Sequence, residues 1–144
     1  MFGTGRKLTW QGIAVTSLVV IVMGIIVGRV VDRQIFDKNL DRSAAFVESL
    51  RPNRPEGIGA DEWNESINVT VTALYNVCTY DPKTDKSKKI TGEILLLTKS
   101  PQNDPLGNLC KIWRILYTTC NPKTKPYLDK NYNILKKATG LDCV

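Results

Sequence analysis

The chain has 144 residues, and its 20 Lys and Arg against 14 Asp and Glu give a formal net charge of +6. A chain of this length forms one small domain, which excludes a multidomain enzyme. Histidine is absent, which removes the commonest catalytic base and metal ligand. The sequence also lacks the glycine-rich nucleotide-binding motifs and any Cys-x-x-Cys pair. We therefore expect no enzymatic activity, no cofactor and no bound metal.

The first predicted element is an uncharged apolar stretch at residues 8–28, which follows a short tail at residues 1–7. As a helix this stretch would rise about 31 Å, close to the roughly 30 Å hydrocarbon core of a bilayer. Arg6 and Lys7 precede it and Arg29 follows it. Its length, and the lack of a small-residue cleavage site after it, favour a retained membrane helix over a cleaved signal peptide.

Small residues form a stripe along the predicted membrane helix. Gly24 and Gly28 make a G-x-x-x-G pair, and Ser17 lies on roughly the same face. Such spacing lets two helix backbones approach closely, so we expect the stripe to pack against another membrane helix, including that of a second copy. The alternative is that glycine is simply frequent in membrane helices.

Residues 29–51 show helical amphipathic periodicity, with apolar positions separated by charged ones. We predict a juxtamembrane stalk helix that ends at Pro52. Residues 52–60 contain two prolines and two glycines, which is typical of a linker. The sequence thus divides the chain into a membrane helix, a stalk, a linker and a head domain at residues 61–144.

Three segments of the head carry helical spacing. Residues 61–78 fit both a helix and a strand, and we favour a helix. The steps of three and four residues at positions 106–120 fit only a helix. A last helix is expected from about Pro126, ending at Gly140. The short apolar run at 92–98 leaves a short β element as an alternative, so the predicted fold class is mainly α with a small helical head.

The four cysteines are disulfide candidates: Cys78, Cys110, Cys120 and Cys143. Cys110 and Cys120 would be about 15 Å apart on one helix, too far for a bond. Two arrangements remain, Cys78–Cys110 with Cys120–Cys143, or Cys78–Cys120 with Cys110–Cys143. Buried thiols are the alternative, and the spacing lacks the knuckle of a zinc site.

The second half of the head is strongly basic. Residues 83–144 hold 12 basic and 5 acidic residues. A lysine-rich segment, which we predict as a solvated loop, contains Lys83, Lys86, Lys88 and Lys89. This half could bind anionic lipid or another polyanion. Its dispersed lysines lack stacking aromatic residues, which argues against nucleic acid as a partner.

Two opposing signals bear on the orientation in the membrane. Positive residues after the membrane helix, such as Arg29 and Arg33, taken alone would place the head in the cytosol. Long domains, however, translocate largely regardless of flanking charge, and four cysteines suit an oxidising compartment. We therefore expect the head outside the cytosol.

Two triplets on the predicted second helix, Asn64-Glu65-Ser66 and Asn68-Val69-Thr70, have the form of glycosylation sequons. Such triplets arise readily by chance in a segment rich in Asn, Ser and Thr. They matter only if the source glycosylates its exported proteins, so they carry little weight here.

Two blocks of residues in the linker and the head form a recognisable pattern. The first block comprises Arg54-Pro55-Glu56-Gly57-Ile58, Trp63, Ile67, Thr70, Ala73, Asn76 and Val77. The second comprises Ile112-Trp113, Leu116, Thr119, Pro122, Lys125 and Tyr127. Together they resemble a family of short, functionally uncharacterised, membrane-anchored proteins of planctomycete-type bacteria. The resemblance implies a bacterial cytoplasmic membrane and a small helical head, and it assigns no activity and no site residue. The four cysteines and the lysine-rich segment depart from that pattern.

The sequence as a whole favours a non-catalytic, single-pass membrane protein. We expect its head, on the periplasmic side, to dock on a larger membrane or envelope complex as an accessory subunit. The alternative is a basic head that binds anionic lipid or an envelope polyanion.

Overall fold

The computed structural model describes residues 9–81, 83, 86–99, 104–119 and 122–144. These residues form helices joined by short connections and contain no strand. The elements in chain order are α1 (Trp10–Ser49), α2 (Ala60–Val77), α3 (Lys86–Leu97), α4 (Pro105–Thr119), a short 3-10 helix (Pro122–Thr124) and α5 (Lys125–Thr139). The predicted mainly helical class is confirmed.

The chain divides into two compact units, the first ending at Gln34 and the second running from Ile35 to Val144. The first unit contains the initial part of α1, and its large apolar side chains are exposed. By length and composition, α1 is apolar enough to cross a membrane near the N-terminus. The predicted tail at residues 1–7, and the first residue of the predicted span, lie outside the described residues.

The second unit has a hydrophobic core to which every helix from the end of α1 to α5 contributes. Its most deeply buried large side chains include Trp63 of α2, Trp113 of α4 and Leu135 of α5. The late residues of α1 that enter this core are Phe36, Leu40, Phe46 and Val47, with Leu50 just beyond the helix. The structure therefore differs from the predicted division, because most of the predicted stalk is part of the head.

The end of α1 is closed by a side chain from α2. The buried indole of Trp63 donates its Nε1–H to the carbonyl oxygens of Leu50 and Arg51, at 3.3 and 3.0 Å. The last carbonyls of a helix have no partner within the helix, and the indole satisfies two that follow α1. Arg54 donates to the carbonyl oxygen of Ile58 at 2.7 Å. The predicted linker is thus a fixed turn inside the head.

Helix α2 confirms the helical interpretation of a segment whose sequence also fits a strand. Its buried residues recur every three or four positions: Trp63, Ser66, Ile67, Thr70, Ala73, Leu74 and Val77. The hydroxyls of Ser66 and Thr70 donate to the carbonyls four residues earlier, each at 2.7 Å. A helix can bury these hydroxyls because its own backbone supplies their acceptors.

Helix α3 corrects one expectation for the middle of the head and decides a second point that the sequence left open. Lys86–Lys89 lie in its first turns, whereas the sequence predicted a solvated loop. The apolar run at 92–98, for which a strand was the alternative, is helical up to Leu97. Thr91 and Ile94 of α3 are buried, and α3 packs mainly against α4.

Local signals in the sequence account for the ends of α4 and α5. The Asp104 carboxylate accepts the backbone N–H of Gly107 at 2.8 Å, which caps the start of α4. Gly140 has a φ of 71° after the last turn of α5, a left-handed conformation that favours glycine. The predicted last helix and its end at Gly140 are confirmed.

Substituting Thr70 by valine tests the bond that joins α2 to α4. Thr70 Oγ1 accepts the buried Nε1–H of Trp113 at 3.0 Å. Valine has nearly the same shape and no acceptor, so the indole N–H would stay buried and unpaired. We expect T70V to lower the free energy of unfolding by about 1 to 3 kcal/mol. The measurement is urea unfolding in detergent micelles, followed by far-UV circular dichroism.

Thr72 offers a matched control, because it lies exposed on the same helix. The T72V variant makes the same chemical change without leaving a buried donor unpaired. If T70V and T72V unfold at the same urea concentration, the Thr70–Trp113 bond contributes nothing to stability.

Candidate functional site

The small-residue stripe lies on the exposed surface of the first unit. Ser17, Gly24 and Gly28 are all exposed. A methyl group added at Gly24 or Gly28 would meet nothing within 4 Å. These two glycines are therefore not required by packing within the described chain, and the stripe is open to another helix. Its use as a contact between membrane helices stays a prediction.

The predicted basic surface is only partly visible. Lys83 and Lys89 are exposed, and Lys89 Nζ lies 3.8 Å from the Glu93 carboxylate one turn along α3. The side chains of Lys86 and Lys88 lie outside the described part of the chain. Further exposed basic residues follow: Lys99, Lys111, Arg114, Lys123, Lys125, Lys130, Lys136 and Lys137. The basic charge is thus spread over α4 and α5 as well as the lysine-rich segment.

Cys110 of α4 forms a disulfide with Cys143, with their Cα atoms 5.0 Å apart. This bond is incompatible with the Cys78–Cys110 arrangement and belongs to the second predicted arrangement. Cys78 is buried, and Cys120 lies outside the described residues, so the Cys78–Cys120 bond stays a prediction. A disulfide between positions 33 residues apart stabilises a fold by about 4 kcal/mol in the chain-entropy model.

Residues 141–144, which we call the clasp segment, are held by α4 and α5 through several side chains. The Tyr132 hydroxyl accepts the backbone N–H groups of Cys143 and Val144, the latter at 3.1 Å. Arg114 Nε donates to the Cys143 carbonyl at 2.7 Å. Lys136 Nζ lies 3.0 Å from the Asp142 carboxylate. The disulfide is thus one of several bonds that fix this segment.

Sequence reasoning missed the partners of the clasp segment other than the cysteine. Gly140 indicates that α5 ends there, and the predicted bonds of Cys143 indicate that the following residues fold back onto the helices. Nothing in the sequence indicates that Tyr132 and Arg114 would receive the segment. Tyr132 also packs edge-on against Tyr117, with ring centroids 5.7 Å apart, and lies 5.6 Å from the Trp113 ring.

An exposed polar contact joins the late part of α1 to α2. The Tyr75 hydroxyl donates to an Asp41 carboxylate oxygen at 2.9 Å. This bond holds the phenol in its protonated form, and together with some burial and the negative charge of Asp41 it raises the pKa of Tyr75. The contact anchors α2 to a part of α1 that the sequence assigned to a separate stalk.

A surface groove of about 400 Å³ lies between the start of α2 and the end of α5. It is lined by Glu62, Glu65, Ile134, Lys137 and Ala138. Asp61 and Glu62 fall in the first turn of α2, where negative charge stabilises the helix dipole. The groove mixes both charge signs with aliphatic carbon, and this is the ordinary composition of a helix-helix seam.

The described residues were also searched for groups of side chains that could hold a metal ion. Among them, no three potential metal-ligating side chains converge. The two features with chemical content are the Cys110–Cys143 bond and the exposed basic residues.

Comparison of the chain with protein-family models, with curated proteins and with solved structures finds no match. The interpretation of the chain therefore depends on its own residues and geometry.

The Tyr75–Asp41 contact predicts a measurable titration. Because the pKa of Tyr75 is raised, the folded state holds this proton more tightly than the unfolded state. The stabilisation is present below the ordinary tyrosine pKa and is lost as pH rises through the folded value. The tyrosinate absorbance of the wild type minus that of Y75F should give a midpoint above about 10.

The D41N variant is the control, since it removes the carboxylate and keeps a side chain of the same shape. We expect the Tyr75 midpoint to fall toward its ordinary value in D41N. An unchanged midpoint would show that Asp41 does not control this phenol.

Proposed function

We propose that this chain is a non-catalytic, single-pass membrane protein whose helical head docks on a larger membrane or envelope complex as an accessory subunit. The observation that supports the proposal best is the contrast between the two units. The first presents exposed apolar side chains along a helix, and the second is a folded helical domain with its own core.

The anchor is supported by the energetics of the exposed apolar side chains. Val15, Leu18 and Val20 each expose more than 60% of their surface. Leaving such a surface in water is unfavourable by about 25 cal/mol for each Å² of apolar area. A bilayer covers all sides of a helix at once, whereas docking on a protein covers only one. A membrane is thus the simplest environment for the uncharged part of α1, which ends at Gly28.

The proposed orientation places the head outside the cytosol. The Cys110–Cys143 disulfide supports this side, because disulfides form and persist in oxidising compartments. The bacterial cytoplasmic membrane enters the proposal through the two residue blocks that resemble planctomycete-type membrane-anchored proteins. The head would then lie in the periplasm.

The accessory role is supported by what the head offers chemically. Three of its described polar contacts link helices to one another: Trp63 to the end of α1, Thr70 to α4 and Asn76 to α5. A rigid helical domain held at a membrane suits recognition of a neighbouring protein. The open stripe of Ser17, Gly24 and Gly28 provides a second surface, within the bilayer, for a partner helix or a second copy.

A second candidate function has its own observation. The basic residues of α4, α5 and the short 3-10 helix are exposed, and residues 83–144 carry 12 basic against 5 acidic residues. Such a surface attracts anionic lipid headgroups or an envelope polyanion. In this alternative the head is a binding module for a polyanion.

Amine labelling on intact cells tests the orientation. A membrane-impermeant, amine-reactive reagent should modify head lysines such as Lys111 and Lys130 in intact spheroplasts. Lys7, which precedes the membrane helix in the sequence, serves as the internal control and should react only after the membrane is opened. Peptide mass spectrometry reads both positions. The reverse pattern would place the head in the cytosol and refute the proposed side.

Purification from native membranes tests docking. In mild detergent we expect the protein to elute with a larger complex whose members mass spectrometry identifies. The association should persist from low to physiological salt, since apolar contacts are not screened. A lone monomer at every concentration contradicts the accessory role.

The salt dependence separates the two candidate functions. Binding to an anionic surface through lysines weakens steeply as salt rises. The probe is protein reconstituted in neutral nanodiscs, mixed with phosphatidylcholine vesicles with or without phosphatidylglycerol. The double variant K130E/K137E should abolish salt-sensitive vesicle binding if the basic surface is the functional one. Equal, salt-indifferent behaviour of wild type and variant favours docking.

A further inference from the structure

The bonds to the clasp segment, residues 141–144, differ in strength. The Lys136–Asp142 ion pair is largely exposed, with 48% and 65% of the two side chains accessible, and such pairs contribute little. The backbone of Cys143 and Val144 also forms hydrogen bonds with Tyr132 and Arg114, and a single hydrogen bond contributes much less than a disulfide. The Cys110–Cys143 disulfide is the covalent constraint among them.

We propose that the Cys110–Cys143 disulfide is a redox latch. Thiol-disulfide exchange with a dithiol releases the clasp segment and leaves the packed helices in place. This inference concerns the head alone and holds for either proposed function, with or without a docking partner.

A dithiol is the reductant in this exchange and supplies both electrons. One thiolate of the dithiol attacks the sulfur of Cys110, which is half-buried, whereas Cys143 is only 3% exposed. A mixed disulfide forms with Cys110, the bond to Cys143 breaks, and Cys143 leaves as a thiolate. The second thiol of the reductant then displaces Cys110. Two cysteine thiols and one oxidised dithiol result, with two electrons transferred.

Arg114 is placed to assist this exchange. It lies one turn after Cys110 on α4, and its Nε is 2.7 Å from the Cys143 carbonyl oxygen. A cation beside a cysteine lowers the thiol pKa and stabilises the thiolate. Because the guanidinium is held at the backbone of Cys143, we expect its charge to favour Cys143 as the leaving group, by an amount that the exposure of Arg114 to solvent reduces.

The helices should remain packed after release because the centre of the core lies elsewhere. Leu109, Trp113 and Leu116 of α4 are fully buried, as is Leu135 of α5. The clasp segment adds to this core the buried Cys143 and the half-buried Leu141. Release would uncover the Tyr132 hydroxyl and the nearby aromatic rings, so the oxidised and reduced heads would present different surfaces.

Hydrogen exchange on the full chain in nanodiscs tests the latch. Adding dithiothreitol should speed amide exchange at least tenfold in peptides that cover residues 136–144, because the N–H groups of Cys143 and Val144 lose the Tyr132 hydroxyl. The C143A variant, without reductant, should reproduce the fast exchange, because it removes the same bond, frees the Cys110 thiol and leaves Cys78 and Cys120 unsubstituted. Peptides from α2 should exchange in C143A at the wild-type rate.

Two outcomes overturn the proposal. Unchanged protection of residues 136–144 after verified reduction means that the noncovalent bonds alone hold the clasp segment. Fast exchange throughout α2 in C143A means that the disulfide supports the whole head and is not a local latch. This outcome is measured in C143A because dithiothreitol would also open the predicted Cys78–Cys120 bond next to α2. Should C143A fail to fold, the protection of residues 136–144 in the reduced wild type still decides whether the clasp segment is released.

The role of Arg114 is tested by the rate of reduction, followed by alkylation and mass spectrometry. We expect R114Q to be reduced several-fold more slowly than the wild type, and R114K, which keeps the positive charge, to recover most of the rate. Equal rates in all three proteins exclude an electrostatic role for this residue.

Discussion

The arrangement of the helices in the head depends on polar contacts made by α2. The first of these lies near the start of α2, at Trp63. The Trp63 indole, donating to the carbonyls of Leu50 and Arg51, satisfies acceptors beyond the end of α1 while its ring fills the core. Further along α2, Tyr75 bonds to α1, Thr70 to α4 and Asn76 to α5. An indole N–H left buried and unpaired is costly, so the bonds of Trp63 and Thr70 favour one arrangement of the neighbouring helices. The exposed contacts of Tyr75 and Asn76 add to it.

The helices predicted well are those whose signals are local. The run at 106–120 and the ends at Pro126 and Gly140 depend on spacing and on the backbone preferences of single residues. The segment 61–78 fits two periodicities, and the deciding residues are Ser66 and Thr70. Their hydroxyls are buried against carbonyls of their own helix, a solution that a strand does not offer.

The parts that sequence reasoning misjudged depend on contacts between distant residues. The apolar face of residues 35–50 fits a separate stalk and a core helix equally well, because periodicity does not identify what covers a face. The closely spaced lysines at the start of α3 leave no helical spacing of apolar residues there, so the sequence did not predict the first turns of this helix. Likewise, the elimination of Cys110–Cys120 by helix geometry left two cysteine pairings, and only the return of the chain after Gly140 decides between them.

The hydrogen bonds of the Arg51 guanidinium have a consequence for glycosylation of the chain. Its two terminal nitrogens donate to the side-chain oxygens of Asn64 and Asn68, the acceptor residues of the two sequons. The sequon hydroxyls, on Ser66 and Thr70, are fully buried. Glycosylation machinery that must read asparagine and hydroxyl together in an accessible chain finds neither triplet open in the folded head. Any sugar found at these positions would record an event that preceded folding.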